Sequence, residues 1–285
     1  MAEASWSAMR RPLAGPEIEV RVGARAQVVL GANQRAGELS EGARQARLAR
    51  RASGGGAVWV DEGTVHVVVA LPRLGAVVEC EPRAILNRHV RPLLRAIGGA
   101  YFGRDFVSVA HRPVAYVAFG HHARTGRTLF EAFVGTAAPF VRETRASLMG
   151  KEPGVLGRAP TGVASAIVAS YAKEWSLEAV EEGVDDEPPT TSDAALRAEP
   201  GWRATVEEAI GPVASDGFVV GGELMASSDA LDVLTARLQE IAGPDEEEIG
   251  DAVADALVAP GVALEGVRNL MSLRDAVVRA RRALV

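Results

Sequence analysis

The run Leu48-Ala-Arg-Arg-Ala-Ser-Gly-Gly-Gly-Ala-Val-Trp59 most constrains what this chain can fold into. Two arginines lead into Ser53 and three glycines, and a short apolar strand follows from Ala57. Glycines let backbone N–H groups approach a ligand with no Cβ in the way. Arginines just before them can grip a phosphate or a carboxylate through paired hydrogen bonds. The glycines alone fit a flexible hairpin equally well. No Gly-Lys-Ser/Thr follows, so the run is not a Walker phosphate loop.

The chain has 285 residues, which suits one large domain or one with a smaller companion. A net charge of −6 with no basic stripe argues against nucleic acid. Cys80 is the only cysteine, which excludes a disulfide framework and a thiolate metal site. No run of 18 apolar residues suggests a membrane span. Met1 to Pro12 lacks the apolar segment of a signal peptide, so the expected compartment is the cytoplasm. Lys151 and Lys173 are the only two lysines, which limits any chemistry that needs an amine.

Alternation and apolar runs predict strands at Ile18–Val22, Gln27–Leu30, Thr64–Leu71, Phe106–Val109, Val114–Phe119 and Leu129–Val134. Helical spacing predicts helices over Glu38–Leu48, Pro82–Ile97 and Gly162–Trp175, with a kink or a start at Pro92. The acidic, proline-containing stretch Glu178 to Asp193 cannot bury a core and reads as a connector. Beyond it, Gly217–Leu224 reads as a strand. Ser228 caps a helix bearing Leu231, Leu234 and Leu238, Asp245 opens the next helix, and Leu273–Leu284 is a basic terminal helix. The expected domains are therefore 1–180, a linker over 181–200, and an accessory piece over 201–285.

Arg-Arg-x-Ser-Gly-Gly-Gly-Ala-Val-aromatic resembles the signature loop of the lipoate–protein ligases, within the biotin/lipoate ligase superfamily. Val28-Val-Leu-Gly31 with Gln34 and Glu38, Asp61-x-Gly63, and Gly103-Arg104-Asp105 match further family segments more loosely, and 217–278 is similar to the accessory domain. The resemblance implies an α+β fold, a mixed, largely antiparallel sheet flanked by helices, followed by a small accessory α+β domain. It implies ATP- and Mg-dependent activation of lipoate or octanoate to an acyl-adenylate, no tightly bound metal, and transfer to a lysine of a lipoyl carrier domain. By the same resemblance Arg51 meets the adenylate phosphate, and Gly56, Ala57, Val58 and Trp59 lie along the nucleotide. Ser53, Gly54 and Gly55 shape the acyl channel.

The pattern departs where the chemistry is done. The family's catalytic lysine falls at Pro113 in His111-Arg-Pro-Val-Ala-Tyr116, and Tyr116 stands where the family has a glycine. One donor that stabilises developing charge is typically worth about 100- to 1000-fold in rate, and proline supplies neither charge nor N–H. Arg112 is the candidate substitute, but strand neighbours face opposite ways, so it reaches the pocket only through a bulge. Thr64, Val60 and Arg127 replace other family residues, and the N-terminal helix reads as short or missing. Two functions stay open: a ligase-like enzyme with altered or lost activity, or a non-catalytic homologue that binds an acyl group, a nucleotide or a carrier as partner or regulator.

Isolated candidates read more plainly. Cys80 is a buried structural thiol rather than a nucleophile. His121-His122 is an exposed loop pair rather than a metal site. Trp59 either stacks on a base or fills the core. Asp61 closes a turn or orients a substrate.

Overall fold

The computed structural model describes residues 2–143, 148–179, 192–208 and 210–284. The chain begins with α1 (Ala2–Arg10), β1 (Glu17–Val22), β2 (Gln27–Leu30), α2 (Glu41–Gln45), β3 (Leu48–Arg50), β4 (Val58–Val60), β5 (Val65–Leu71), α3 (Ile85–His89) and α4 (Arg91–Ile97). It continues through β6 (Ala100–Tyr101), β7 (Phe106–Val109), β8 (Arg112–His121), β9 (Thr128–Val134), β10 (Val141–Arg142), α5 (Pro160–Trp175) and β11 (Glu178–Ala179). The C-terminal part holds α6 (Asp193–Arg197), β12 (Ala204–Val206), β13 (Val213–Ser215), β14 (Val220–Gly222), β15 (Met225–Ala226), α7 (Ser228–Glu240), α8 (Glu246–Leu257), β16 (Leu264–Glu265) and α9 (Leu270–Arg282).

Seven strands form the main sheet in the order β11-β1-β5-β9-β8-β7-β6, antiparallel except where β11 meets β1. A smaller sheet, β10-β4-β2-β3, carries the glycine loop between β3 and β4. In β5 every residue is buried. Val65, Val67, Val69 and Leu71 share a core with Ile85 of α3, Leu93 of α4, and Ile167 and Tyr171 of α5. Val68 and Ala70 pack instead on Ala4 and Ala8 of α1. A strand covered on both faces reads as a near-continuous apolar run, and here only His66 interrupts it. The accessory part has its own core, in which Leu231, Leu234 and Leu238 of α7 meet Ile249 and Val253 of α8 and Leu273 and Val277 of α9.

The α+β architecture agrees with the reading of the sequence, and several elements differ in detail. The helix expected over Glu38–Leu48 is only α2, because Ser40 caps it through Ala43 N and Leu48 is drawn into parallel pairing with Val28. Pro92 marks a start, not a kink: it sits in the first turn of α4, where a missing N–H costs nothing. The strand expected over Gly217–Leu224 is the second arm of a β13–β14 hairpin, whose turn is held by Asp216 Oδ1 accepting from Phe218 N and Val219 N. Ser228 is not a cap. Ser227 precedes α7, and the Ser228 hydroxyl donates to the His121 carbonyl. Asp245 does cap α8, accepting from Glu247 N and Glu248 N. Most of the acidic connector, 180–191, lies outside the described residues. Beyond it, α6 packs on β3, with Asp193 Oδ1 accepting from Leu48 N at 2.9 Å. The N-terminal segment, expected to hold a short helix or none, forms the nine-residue α1.

Candidate functional site

The loop from Arg51 to Ala57 is stitched between the two sheets. Arg51 N donates to Leu30 O on β2, Ala32 N to Ser53 O, and Gly54 N to Phe119 O on β8 at 3.0 Å. The chain also comes very close to itself. A Cβ on Gly31 would lie 1.9 Å from the Gly55 carbonyl oxygen, so the Gly31 position tolerates only hydrogen. Gln34 accepts from Gly31 N and braces the same turn.

Gly55 lies at the centre of the site. Its φ of +80° is left-handed, and a Cβ there would lie 2.1 Å from the Tyr116 hydroxyl. Its N–H donates to the Leu224 carbonyl at 2.9 Å. Leu224 precedes β15, and a Cβ on Gly54 would meet the same carbonyl and the Met225 backbone. The accessory part thus lays its own backbone over the glycines, and the Tyr116 hydroxyl closes the other side of Gly55.

Arg51 is fully buried. Its Nε donates to Ser53 Oγ, its Nη1 to Val29 O, and its Nη2 to Gly54 O, Gly56 O and Tyr116 Oη. Ser53 in turn donates to Glu131 Oε2 at 2.6 Å, and the other Glu131 oxygen lies 2.6 Å from His66 Nε2. A polar chain Arg51–Ser53–Glu131–His66 therefore runs through the space between the sheets, and His66 stacks on Phe133 with centroids 4.6 Å apart. Buried charges of this kind persist only when paired and hydrogen-bonded.

A second buried cluster joins the main and accessory parts. Arg142 of β10 contacts Asp105 at 2.9 Å and Glu223 at 2.5 Å, and its guanidinium lies 5.0 Å from the Tyr116 ring centroid. Burial alone works against its charge, but the Asp105 and Glu223 carboxylates outweigh this and hold it more firmly protonated than usual. Two carboxylates share one guanidinium, so burial, helped by Glu223 against the pull of Arg142, pushes Asp105 up to about 6. Gly56 lies against this cluster: a Cβ there would be 2.3 Å from Arg142 Nη2.

The other expected site residues fall as follows. Ala57 is buried, Val58 pairs with Val29 and Arg142, and the Trp59 indole donates to Glu143 Oε2 at 2.8 Å. Pro113 is buried in β8 opposite Ser108, beside a register shift between Val107 and Ser108. The shift does not bring Arg112 inward: its side chain is exposed and donates to Pro153 O at 3.2 Å. Asp61 and Thr64 close a turn on each other. Cys80 is half-buried at the core margin, and burial pushes its thiol up to about 11. His121 is not exposed. It is buried at the end of β8 between Thr128 Oγ1 and Gly261 O, and burial lowers its pKa. His122 lies 3.2 Å from Asp229. As arranged, Arg51 Nε, Nη1 and Nη2 and the Gly54 and Gly55 amides each donate to a protein acceptor.

Neither a family model nor a curated protein matches the chain. Solved structures do. LipL1 of P. falciparum, determined in complex with lipoate, is 13% identical, with a TM-score of 0.59 over 93% of this chain and 87% of its own. The bipartite lipoate protein ligase of Thermoplasma acidophilum, studied with its E2 lipoyl domain, is 14% identical, with a TM-score of 0.52 over 68% of this chain and 83% of its own. At these identities the likeness is one of fold, and the fold of this chain is that of the lipoate–protein ligases.

Proposed function

We propose that this chain is a lipoate-ligase-like protein that has given up acyl adenylation and serves as a non-catalytic partner of a lipoyl carrier domain. The observation that carries the reading is the covering of Gly55, whose N–H is taken by the Leu224 carbonyl and whose open face is taken by the Tyr116 hydroxyl. Activation of a carboxylic acid by ATP needs donors aimed at the phosphate and at the acyl oxygen as charge develops. Here Arg51 donates to Val29 O on β2, to the loop carbonyls of Gly54 and Gly56, to Ser53 and to Tyr116, and Pro113 stands where the resemblance puts the lysine. The carrier partner is supported by the fold shared with a ligase studied alongside its E2 lipoyl domain.

Calorimetric titration tests the reading. A lipoyl domain titrated into the protein is expected to give saturable heat, whereas ATP with magnesium, lipoate and octanoate give none. Saturable binding of ATP would overturn the non-adenylating part, and absence of carrier binding would overturn the partner role.

A further inference from the structure

Glu223 is the chain neighbour of Leu224, whose carbonyl closes the glycine loop, and its carboxylate meets the same guanidinium as that of Asp105. Arg142 belongs to the sheet that carries the loop: β10 pairs with β4, and Arg142 lies opposite Val58. Asp105 is fixed from the other sheet, because Val117 N on β8 donates to its backbone carbonyl at 2.8 Å. The ion pair also rests on the loop itself. A Cβ on Gly56 would lie 2.3 Å from Arg142 Nη2 and 2.6 Å from Glu223 Oε2. The main part thus supplies one carboxylate and the guanidinium, and the accessory part supplies the second carboxylate beside the residue that covers Gly55.

This cluster is unbalanced. With both carboxylates ionised it holds one negative charge in excess, and none of the three residues is more than 4% exposed. Arg142 Nη2 donates to Glu223 Oε2 at 2.5 Å, whereas both Asp105 carboxyl oxygens are buried with no hydrogen-bond partner among the described residues. Buried charge without full compensation is costly, and a proton on Asp105 removes the excess. Burial, with Glu223 against the pull of Arg142 and Arg104, favours that protonated form. Tyr101 and Tyr116 also face the cluster. Burial raises both phenols, so neither changes charge at or below neutral pH.

We propose that Asp105, Arg142 and Glu223 are a proton-sensitive latch: with Asp105 protonated they hold segment 223–225 over the glycine loop, and with Asp105 ionised the segment lifts more often and frees the Gly55 amide. The closed form stays dominant, and the proton sets how often it opens. Lifting the segment admits water and returns Asp105 from about 6 toward its ordinary 3.8. The closed form therefore binds the proton more tightly, and opening increases as pH rises from about 4 through about 6. The latch rests on the covering of Gly55 described above and not on the carrier reading.

The test is residue-resolved hydrogen exchange of the Gly55 amide, corrected for the intrinsic rate at each pH. The Gly54 amide, which donates to Phe119 O within the main part, is the internal reference. In wild type the protection of Gly55 is expected to fall roughly tenfold or more between about pH 4.5 and about pH 7 while that of Gly54 holds. In Asp105→Asn, which is uncharged throughout, Gly55 is expected to keep its low-pH protection. Should that variant fail to fold, NMR titration of the Asp105 carboxyl carbon in wild type carries the test, with a midpoint shared with the Gly55 change expected and a midpoint at the ordinary carboxylate value overturning the latch. Gly55 protection that does not vary with pH, that varies equally in Asp105→Asn, or whose fall Gly54 shares overturns the latch and leaves the covering standing. A Gly55 amide unprotected at every pH overturns the covering as well.

Discussion

Gly55 donates its backbone N–H to the carbonyl of Leu224 at 2.9 Å, so the glycine loop is closed by a residue 169 positions further along the same chain. The three glycines are needed here for close packing of protein against protein. Gly55→Ala is expected to destabilise the fold by about 2–4 kcal/mol, since it combines a left-handed φ with a Cβ lying 2.1 Å from the Tyr116 hydroxyl. Urea denaturation of the two proteins measures the difference, and a change within about 0.5 kcal/mol would show that the loop is looser than described.

Arg51→Met separates structural from ligand-binding roles. The substitution leaves Ser53, Tyr116 and the carbonyls of Val29, Gly54 and Gly56 without their donor, inside a fully buried network. Breaking such a network costs roughly 3–5 kcal/mol. Tyr116→Phe removes one of these contacts and is expected to cost about 1 kcal/mol. Denaturant midpoints for the pair check the ranking.

Asp105 gives stability a defined pH dependence. Its folded carboxyl is pushed up to about 6, and unfolding returns it to its ordinary 3.8. The folded state therefore binds this proton more tightly. The stabilising contribution is full below pH about 4 and is lost as pH rises through about 6. Asp105→Asn is expected to flatten the stability profile between pH 4 and 7. An unchanged slope would show that Asp105 is ionised in the folded protein throughout.

Much of this was legible in the sequence because apolar periodicity reports burial, and β1, β2, β5, β7, β8 and β9 all followed from it. The glycine run and Tyr116 likewise drew attention to residues that the structure brings together, Gly55 against the Tyr116 hydroxyl. The partners of that loop were not legible. Arg142 and Glu223 lie 81 residues apart and meet only through the docking of the accessory part, so no local spacing announces them. Glu131 and His66 did leave a signal, each being a lone polar residue within an apolar strand, which is the mark of a paired buried group. The burial of His121 is not legible locally, because it depends on the Gly261 carbonyl, 140 residues along the chain, 3.0 Å from His121 Nε2.

Pro113→Lys places a lysine where the resemblance to the lipoate–protein ligases implies one, yet it is expected to yield no pyrophosphate from ATP and lipoate. The Gly54 and Gly55 amides remain committed to Phe119 and Leu224, and Arg51 remains buried. Turnover by this single variant would mean that the covering segment leaves readily and that the lysine alone was missing.

Pyrophosphate release by the wild-type protein, supplied with ATP, magnesium and either lipoate or octanoate at high protein concentration, tests the central claim most directly. The closed glycine loop predicts release no faster than in protein-free controls. Sustained release that depends on the acyl acid would contradict it and would mean that the Leu224 contact opens to admit both substrates.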